Sequence, residues 1–437
     1  MKKFHFIDCG FLAIVIIILI YLVFALYIEP FYSYPGGLTV WDNFGYYLYM
    51  PAHFIYHDLS YMHFLPEVLK TYRPSPDLYQ VYKMGNGKYL DVYPVGMAIL
   101  YSPFFFIGHI WATLVQQPLD GFSRPYQEAI LIGNFCYCIV SLLMLRKVLR
   151  KYFSDKVVAL TLLIVCLGTN ASLYLTNTFL SHGQGFFLGV IVLYATIQWY
   201  EKHKWYWAFL IGLGVGLAAC TRVPEILIGI IPLLWNVKDA ESFRAKLRLF
   251  VSRWTDVFLM IVAFFIAILP QMIYTHHITG KYFYNTYFYP GQVFDWTSPH
   301  FYNCLFSFRD GLMIYTPIII LFFIGFYFLY KNFRMIFWSC IIYMLLIFYV
   351  YFSWHIWWYG GSYSQRELVP ALAVLSIPLA SFLSHRFSPR LKVIVSVFIV
   401  FCVLLNMYDS YMVVKGHFNL GNTTPQEYSN ILFYYLK

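Results

Sequence analysis

Charge is what this sequence has least of. Asp, Glu, Lys and Arg make up 11% of its 437 residues, against roughly 25% in a soluble domain. That shortage excludes a soluble globular chain. The eight cysteines lie mostly inside apolar runs; Cys136 and Cys138 form CYC, with neither a CxxC pair nor a His partner nearby. They read as packing residues, not as a zinc site or a disulfide framework. There is no phosphate-cradling glycine loop and no nucleotide-sugar signature, so an activated donor would come from the lipid phase. There is no internal repeat, heptad or low-complexity tract. The apolar runs do not alternate with period two, which excludes an outer-membrane barrel.

What is present is hydrocarbon. Hydrophobic residues are 60% of the chain and the mean hydropathy is +0.62. Runs of about 18–20 apolar residues are long enough to cross a bilayer as helices, which satisfy their backbone groups internally. They predict an all-α, polytopic transmembrane helical bundle. About 11 spans are expected, at 11–28, 128–145, 157–175, 183–200, 206–221, 223–236, 255–274, 312–330, 335–353, 366–383 and 392–412. The first run follows Lys2 and Lys3. It is followed by Glu29-Pro30-Phe31-Tyr32 rather than a small-residue cleavage site, so it reads as a retained anchor.

The segment 94–115 is apolar enough to count as a further span. Counting it would turn the loop 146–156 outward with five Lys and Arg, against the positive-inside rule. With Pro94, Pro103 and His109 in it, it reads as a helix in the outer interface or re-entering it. Inside segments then carry 19 of the 30 basic residues and six of the 20 acids; outer segments carry 11 and 14. The formal net charge of +10 is a topology signal, and a nucleic-acid partner is not expected. The chain reads as a single membrane domain, 1–437, with its N-terminus cytoplasmic. Its first outer loop, 29–127, is long and carries interfacial helices, with GYYLYMPAHFIYH as one of them. Pro74-Ser75-Pro76 and Gly85-Asn86-Gly87 mark turns. Residues 413–437 form an outer tail with no readable role; its Asn422-Thr423-Thr424 is a chance N-x-[ST] match.

The first outer loop opens with LTVWDNFGYYLYMPAHFIYHDLSYMHFLPE, residues 38–67. Asp42 sits just past a membrane exit, in a chain with few acids. Asp42, Tyr46 and Tyr49 fall at helical spacing and share a face. Two readings stand side by side: a catalytic base, or a carboxylate capping the following helix.

Four stretches resemble a known family. They are the 38–67 stretch from Trp41 onward, NGKYLDVYPVGMAILYSPFFFIGH, LFSFRDGLMIYTPIIILFFIGF and WHIWWYGGSYSQRELVPALAVLSIPLA. Together the chain resembles bacterial GT-C superfamily glycosyltransferases, the polytopic enzymes that use polyprenyl-phosphate sugars. The branch it looks nearest to is related to protein O-mannosyltransferases and lipid A aminoarabinose transferases. The resemblance covers most of residues 1–385 and implies a transferase site at the outer face of a bacterial inner membrane, with Asp42 matching the first-loop Asp. One departure stands out. Relatives often carry a Lys just before the Tyr/Pro of the second motif, where this chain has Asp91-Val92-Tyr93-Pro94; Lys88 or Lys83 is the candidate replacement.

Glycosyl transfer from a lipid phosphate needs a base, cations for the leaving phosphate and a sugar pocket. A positioned carboxylate contributes roughly 10²–10⁴-fold as general base. Asp42 is the expected base, and Asp58 and Glu67 are second acids, for the acceptor or for Mg²⁺ or Mn²⁺ on oxygen ligands; otherwise they are solvated loop acids. No metal cluster is evident and no cofactor is required. His276-His277 diverge on a helix. For the donor phosphate, Arg binds in a bidentate fork. Arg222, in CTRVPE, is either a phosphate ligand or a partner of Glu225. Arg366, in SQREL, follows the Gly360-Gly361 break. Arg309, in FSFRDG, has Asp310 beside it as an ordinary ion-pair partner. Tyr46, Tyr93, His182, His355, Trp357 and Trp358 are candidate sugar or lipid contacts. For the Trp cluster, which includes Trp354 and Tyr359, an interfacial aromatic belt is the plain alternative.

The expected activity is transfer of a sugar, with inversion, from a polyprenyl-phosphate donor in the membrane lipid to an extracytoplasmic glycan, lipid or protein. The rival readings are a flippase or carrier for lipid-linked glycans, which often shows an inverted repeat, and an O-antigen polymerase or ligase-like protein.

Overall fold

The computed structural model describes residues 8–28, 37, 39–176, 180–287 and 292–436. Lys2, Lys3, Leu38 and the Glu29–Tyr32 flank of the first run lie outside them.

The chain is an α-helical bundle. Its helices are α1 Cys9–Val23, which runs into a π-turn at 24–28, α2 Asp42–Phe54, α3 Leu65–Tyr72, α4 Gly96–Leu114, α5 Arg124–Arg150, α6 Asp155–Leu167, α7 Ala171–Tyr174, α8 Ser181–Lys202 and α9 Trp205–Thr221. A 3₁₀ segment, Val223–Gly229, continues as α10 Ile230–Leu234. Then come α11 Ala240–Ser252, α12 Trp254–Thr279, α13 Phe301–Phe306, α14 Leu312–Tyr315, α15 Ile319–Asn332, α16 Arg334–Phe352, α17 Leu372–Leu383, α18 Pro389–Val414 and α19 Pro425–Leu432. Two short strands, β1 Val81–Lys83 and β2 Tyr89–Asp91, pair antiparallel around the expected Gly85-Asn86-Gly87 turn. They are the only sheet among the described residues.

Among the described residues, six helices are long and apolar enough to cross a membrane: Cys9–Leu26, Gly96–Leu114, Arg124–Arg150, Trp254–Thr279, Arg334–Phe352 and Pro389–Val414. Helix α8, 22 residues long, fills the expected range 183–200; shorter apolar helices occupy the remaining ranges, and several are broken. The range 157–175 is cut between α6 and α7 at Gly168-Thr169-Asn170. A broken helix in hydrocarbon leaves carbonyls that need donors. Asn406 of α18 supplies them, donating to Leu167 O (2.9 Å) and Thr169 O (2.8 Å). Tyr21 of α1 donates to Cys166 O (2.9 Å). Pro232 has no N–H to give and its ring crowds the carbonyl four residues back, which keeps 223–236 from forming one continuous α-helix.

Small residues set the close packing. A Cβ on Gly212 of α9 would meet Met260 O of α12 at 2.0 Å, and one on Gly216 would meet Phe264 O at 2.7 Å. Small residues at such crossings let backbones approach. Helix α4 runs antiparallel to the first half of α5. Tyr137 Oη donates to Leu100 O (2.6 Å), Gly133 faces Phe104, and Gly108 faces Tyr126. Gly96, at its start, abuts the Cys220 backbone at the end of α9. Four chain segments therefore converge near one end of the bundle: the start of α2, the residues after β2, the start of α8 and the end of α9.

Candidate active site

Asp42 is the first residue of α2. Trp41 holds the cap position and no side chain caps the helix, so the capping bond that would explain Asp42 is not made. Its oxygens turn elsewhere. Oδ1 accepts from Tyr79 Oη (2.8 Å) and Tyr93 Oη (2.7 Å). Oδ2 faces Arg366 Nη2 at 3.2 Å. Tyr93 reaches Asp42 by lying against Gly45, where an added Cβ would sit 2.2 Å from its ring. Any larger residue one helical turn from Asp42 would displace that ring.

Arg366 extends the network. Nη2 also donates to Tyr359 O (3.0 Å), and Nε stands 3.4 Å from Glu367 Oε1. Tyr359 and Gly360 both have positive φ, 50° and 77°, and this turn brings the Tyr359 carbonyl round to the guanidinium. Glu367 Oε2 pairs with Arg222 Nη1 and lies 3.8 Å from His182 Nδ1. The Arg222 guanidinium sits over the rings of Tyr351 and Tyr359, at 5.7 and 5.9 Å. Tyr46 lies tilted against Tyr93, with ring centroids 4.5 Å apart, and accepts from Ser181 Oγ (3.3 Å).

The result is a row of alternating charge: Asp42, Arg366, Glu367, Arg222. Side-chain exposure falls inward from 24% at Asp42 and 20% at Arg222, through 13% at Arg366, to 1% at Glu367. Glu367 is thus the buried counter-ion that fixes both guanidinium groups, while Asp42 and Arg222 remain open to a ligand. Burial pushes the Asp42 carboxyl up, but Arg366 and the Tyr93 and Tyr79 hydroxyls outweigh it and hold the group below its usual value. Burial first, and the Asp42 charge second, raise Tyr79 and Tyr93, so both remain phenols and donate. The site holds an ionised carboxylate next to two positioned cations. That combination can accept a proton while stabilising a nearby anion.

Of the residues singled out in the sequence, Asp42, Tyr46, Tyr93, His182, Arg222, Tyr359 and Arg366 meet here. The other candidates lie elsewhere. Asp58 is the hub of its own turn: Oδ1 accepts from Tyr61 N (2.8 Å), and Oδ2 from His63 N (2.9 Å) and His63 Nδ1 (2.8 Å). Burial acts against it, yet these bonds hold its carboxyl down at about 2. Glu67 lies in the first turn of α3. Lys88 Nζ donates to His277 O at the end of α12 (2.6 Å), and Lys83 Nζ lies 5.8 Å from the Tyr89 ring centre; neither cation joins Arg366. Trp358 carries the Arg309 guanidinium 3.4 Å from its ring centre, with Trp357 at 5.9 Å. Arg309 also donates to Gly421 O and, at 3.0 Å, to Asn422 Oδ1, so it ties down the 413–437 tail instead of pairing with Asp310. His355 lies on Asp295 (2.8 Å).

Arg222 pairs with Glu367, not with Glu225 as the near spacing implied; Glu225 accepts from Tyr351 Oη. Sequence reasoning gave Glu367 no role of its own. Its signal was the cost of an acid at the mouth of an apolar helix. Tyr79 carried no signal at all.

Neither the family models nor the curated proteins contain a match to this chain. Among solved structures it is similar to the archaeal oligosaccharyltransferase AglB from Archaeoglobus fulgidus, in complex with an inhibitory peptide and a dolichol-phosphate. The TM-score is 0.51 at 11% identity, over 97% of this chain and 57% of that one. The chain therefore spans little more than half the length of that transferase. The two chains share a fold over that length.

Proposed function

We propose that the chain is a membrane glycosyltransferase. It moves one sugar from a polyprenyl-phosphate donor, reached laterally from the bilayer, to an acceptor outside the cytoplasm. The row Asp42–Arg366–Glu367–Arg222 carries this reading, and the fold it shares with a lipid-linked oligosaccharide transferase supports it.

The acceptor hydroxyl oxygen attacks the anomeric carbon, and its proton passes to Asp42 Oδ2. The bond from the anomeric carbon to the phosphate oxygen breaks, and its electron pair leaves with the phosphate. Arg222 and Arg366 neutralise that charge. Direct displacement inverts the anomeric centre. Tyr46, Tyr93 and His182 line the sugar side. Mg²⁺ or Mn²⁺ on Asp42 with Asp58 or Glu67 is not part of this scheme, because Asp58 has both oxygens engaged in its own turn.

The topology proposed with it is 11 spans in a bacterial inner membrane, with the N-terminus cytoplasmic and the 413–437 tail outside. Helix α4 then lies in the outer interface or re-enters it. Its antiparallel run along the first half of α5 supports an entry into the bilayer from that side.

The test is single-sugar transfer by the purified protein from radiolabelled polyprenyl-phosphate sugars, with a crude envelope extract as acceptor. Transfer by the wild type that is lost in a folded Asp42→Asn variant, and that resists a chelator, is expected. Full transfer by Asp42→Asn would sink the assignment of the base. Movement of the lipid-linked sugar across the bilayer without transfer would make the chain a carrier.

A further inference from the structure

Asp295 and His300, near neighbours in the chain, meet the distant His355 on a different part of the surface. Asp295 Oδ2 accepts from His300 Nε2 (3.0 Å) and from His355 Nδ1 (2.8 Å). The three ligand-type atoms lie within 4.8 Å of one another. We infer that Asp295, His300 and His355 form a binding site for a first-row divalent cation of the zinc type, which clamps the 292–300 segment onto the loop after α16.

The backbone prepares the cluster. Asp295 N donates to Ser353 O (2.6 Å), His300 N to Phe352 O (2.7 Å) and His355 N to Val293 O (2.9 Å). Phe294 and Trp354 form an isolated antiparallel bridge, with their rings 4.7 Å apart, and Tyr349 Oη donates to Trp296 O (2.6 Å). Every ligand residue is therefore anchored by its own main chain, and each anchor crosses between the two segments the cation would join. Ligands fixed in this way lose little further freedom on binding.

The donor chemistry selects the ion class. Two imidazoles and one carboxylate suit zinc and its neighbours, whereas Mg²⁺ and Ca²⁺ take all-oxygen shells. Zinc bonds of about 2.0–2.1 Å in tetrahedral geometry put ligand atoms roughly 3.3 Å apart. The Asp295 separations need to open by only a few tenths of an ångström, as the two N–H···O bonds give way to metal bonds. The half-exposed His355 side chain leaves room for water as a fourth ligand. The clamp also reaches the candidate active site. Tyr287, just before the 292–300 segment, has its ring 6.1 Å from Trp354 and 6.4 Å from Tyr93, and Tyr93 donates to Asp42.

The experiment uses the full chain in detergent, stripped with a chelator and titrated with Zn²⁺ in competition with a chromophoric zinc indicator. One site is expected, weakened at least about tenfold, or 1.4 kcal/mol, in His300→Ala and in His355→Ala. It should be unchanged in His276→Ala. Hydrogen exchange on the wild-type chain needs no variant to fold: Zn²⁺ should protect the Asp295, His300 and His355 amides. Zinc binding of equal strength in the His300→Ala/His355→Ala double variant would overturn the site, and so would no binding by the wild type. Protection that appears elsewhere and not at these three amides would overturn it too.

Discussion

Asp42 Oδ2 and Arg366 Nη2 stand 3.2 Å apart, although 324 residues separate them in the chain. The same Nη2 also holds the Tyr359 carbonyl, so one guanidinium orients the carboxylate and the turn opposite it. Arg366 further lowers the Asp42 pKa.

Arg366→Gln removes that charge. The Asp42 carboxyl should then rise, because burial, which opposes ionisation, loses its strongest counterweight. The acid limb of the pH profile of kcat/KM should move to higher pH, and kcat/KM should fall roughly 10²-fold. An acid limb that stays where it was would mean that a different group titrates in turnover.

Tyr93→Phe and Tyr79→Phe each take one phenol donor from Asp42 Oδ1. Hydrogen bonds to charged groups contribute about 1.5–3 kcal/mol, so each variant should lower kcat/KM by about ten- to a hundredfold with little change in folding. Both hydroxyls serve one oxygen, so the double variant should depart from additivity. Strictly additive effects would place the two hydroxyls in separate roles.

Glu367→Gln removes the buried counter-ion between Arg222 and Arg366. Breaking a buried pair on one side destabilises by about 3–5 kcal/mol. Thermal unfolding in detergent should shift down, and donor binding should be altered as the two guanidinium groups move apart. An unchanged melting curve would mean that Glu367 contributes nothing to the arrangement.

Gly421→Ala tests the tail. Gly421 has φ +74°, and an added Cβ would sit 1.8 Å from Gly360 O. The substitution is unfavourable both for its backbone and for its space, and it should unseat the tail from Arg309 and Trp358. Limited proteolysis of the 416–424 turn should accelerate severalfold.

Asp58→Ala should loosen the 58–63 turn and leave transfer intact, at a local cost of about 1 kcal/mol, as for a lost cap. The native carboxyl, at about 2, lies below the ordinary value of about 3.9. Its stabilising effect is therefore full above about pH 3.9 and lost as pH falls through about 2. Hydrogen exchange at the Tyr61 and His63 amides, measured against pH, should follow that window in the wild type and lose it in the variant.

The sequence by itself determined the class of this protein. Long apolar runs can bury their backbone in lipid only as helices, so an all-α membrane bundle could be read from composition and run length. It also marked Asp42, Arg222 and Arg366, because ionisable side chains at apolar boundaries are costly and need a reason to be there. Tertiary structure decided how these charges are partnered. Arg222 has Glu225 three residues away, yet it pairs with Glu367, because Arg222 ends α9 in an extended conformation and the Arg366–Leu368 3₁₀ turn carries Glu367 to it. Tyr79 joins Asp42 for the same kind of reason: it stands next to a hairpin whose return strand leads to Tyr93. His355 left the aromatic cluster for Asp295 and His300, since backbone pairing between 293–300 and 352–355 sets those neighbours. Periodicity and spacing report contacts within one element; pairings across 37 to 324 residues depend on how the helices pack, and no local pattern encodes that.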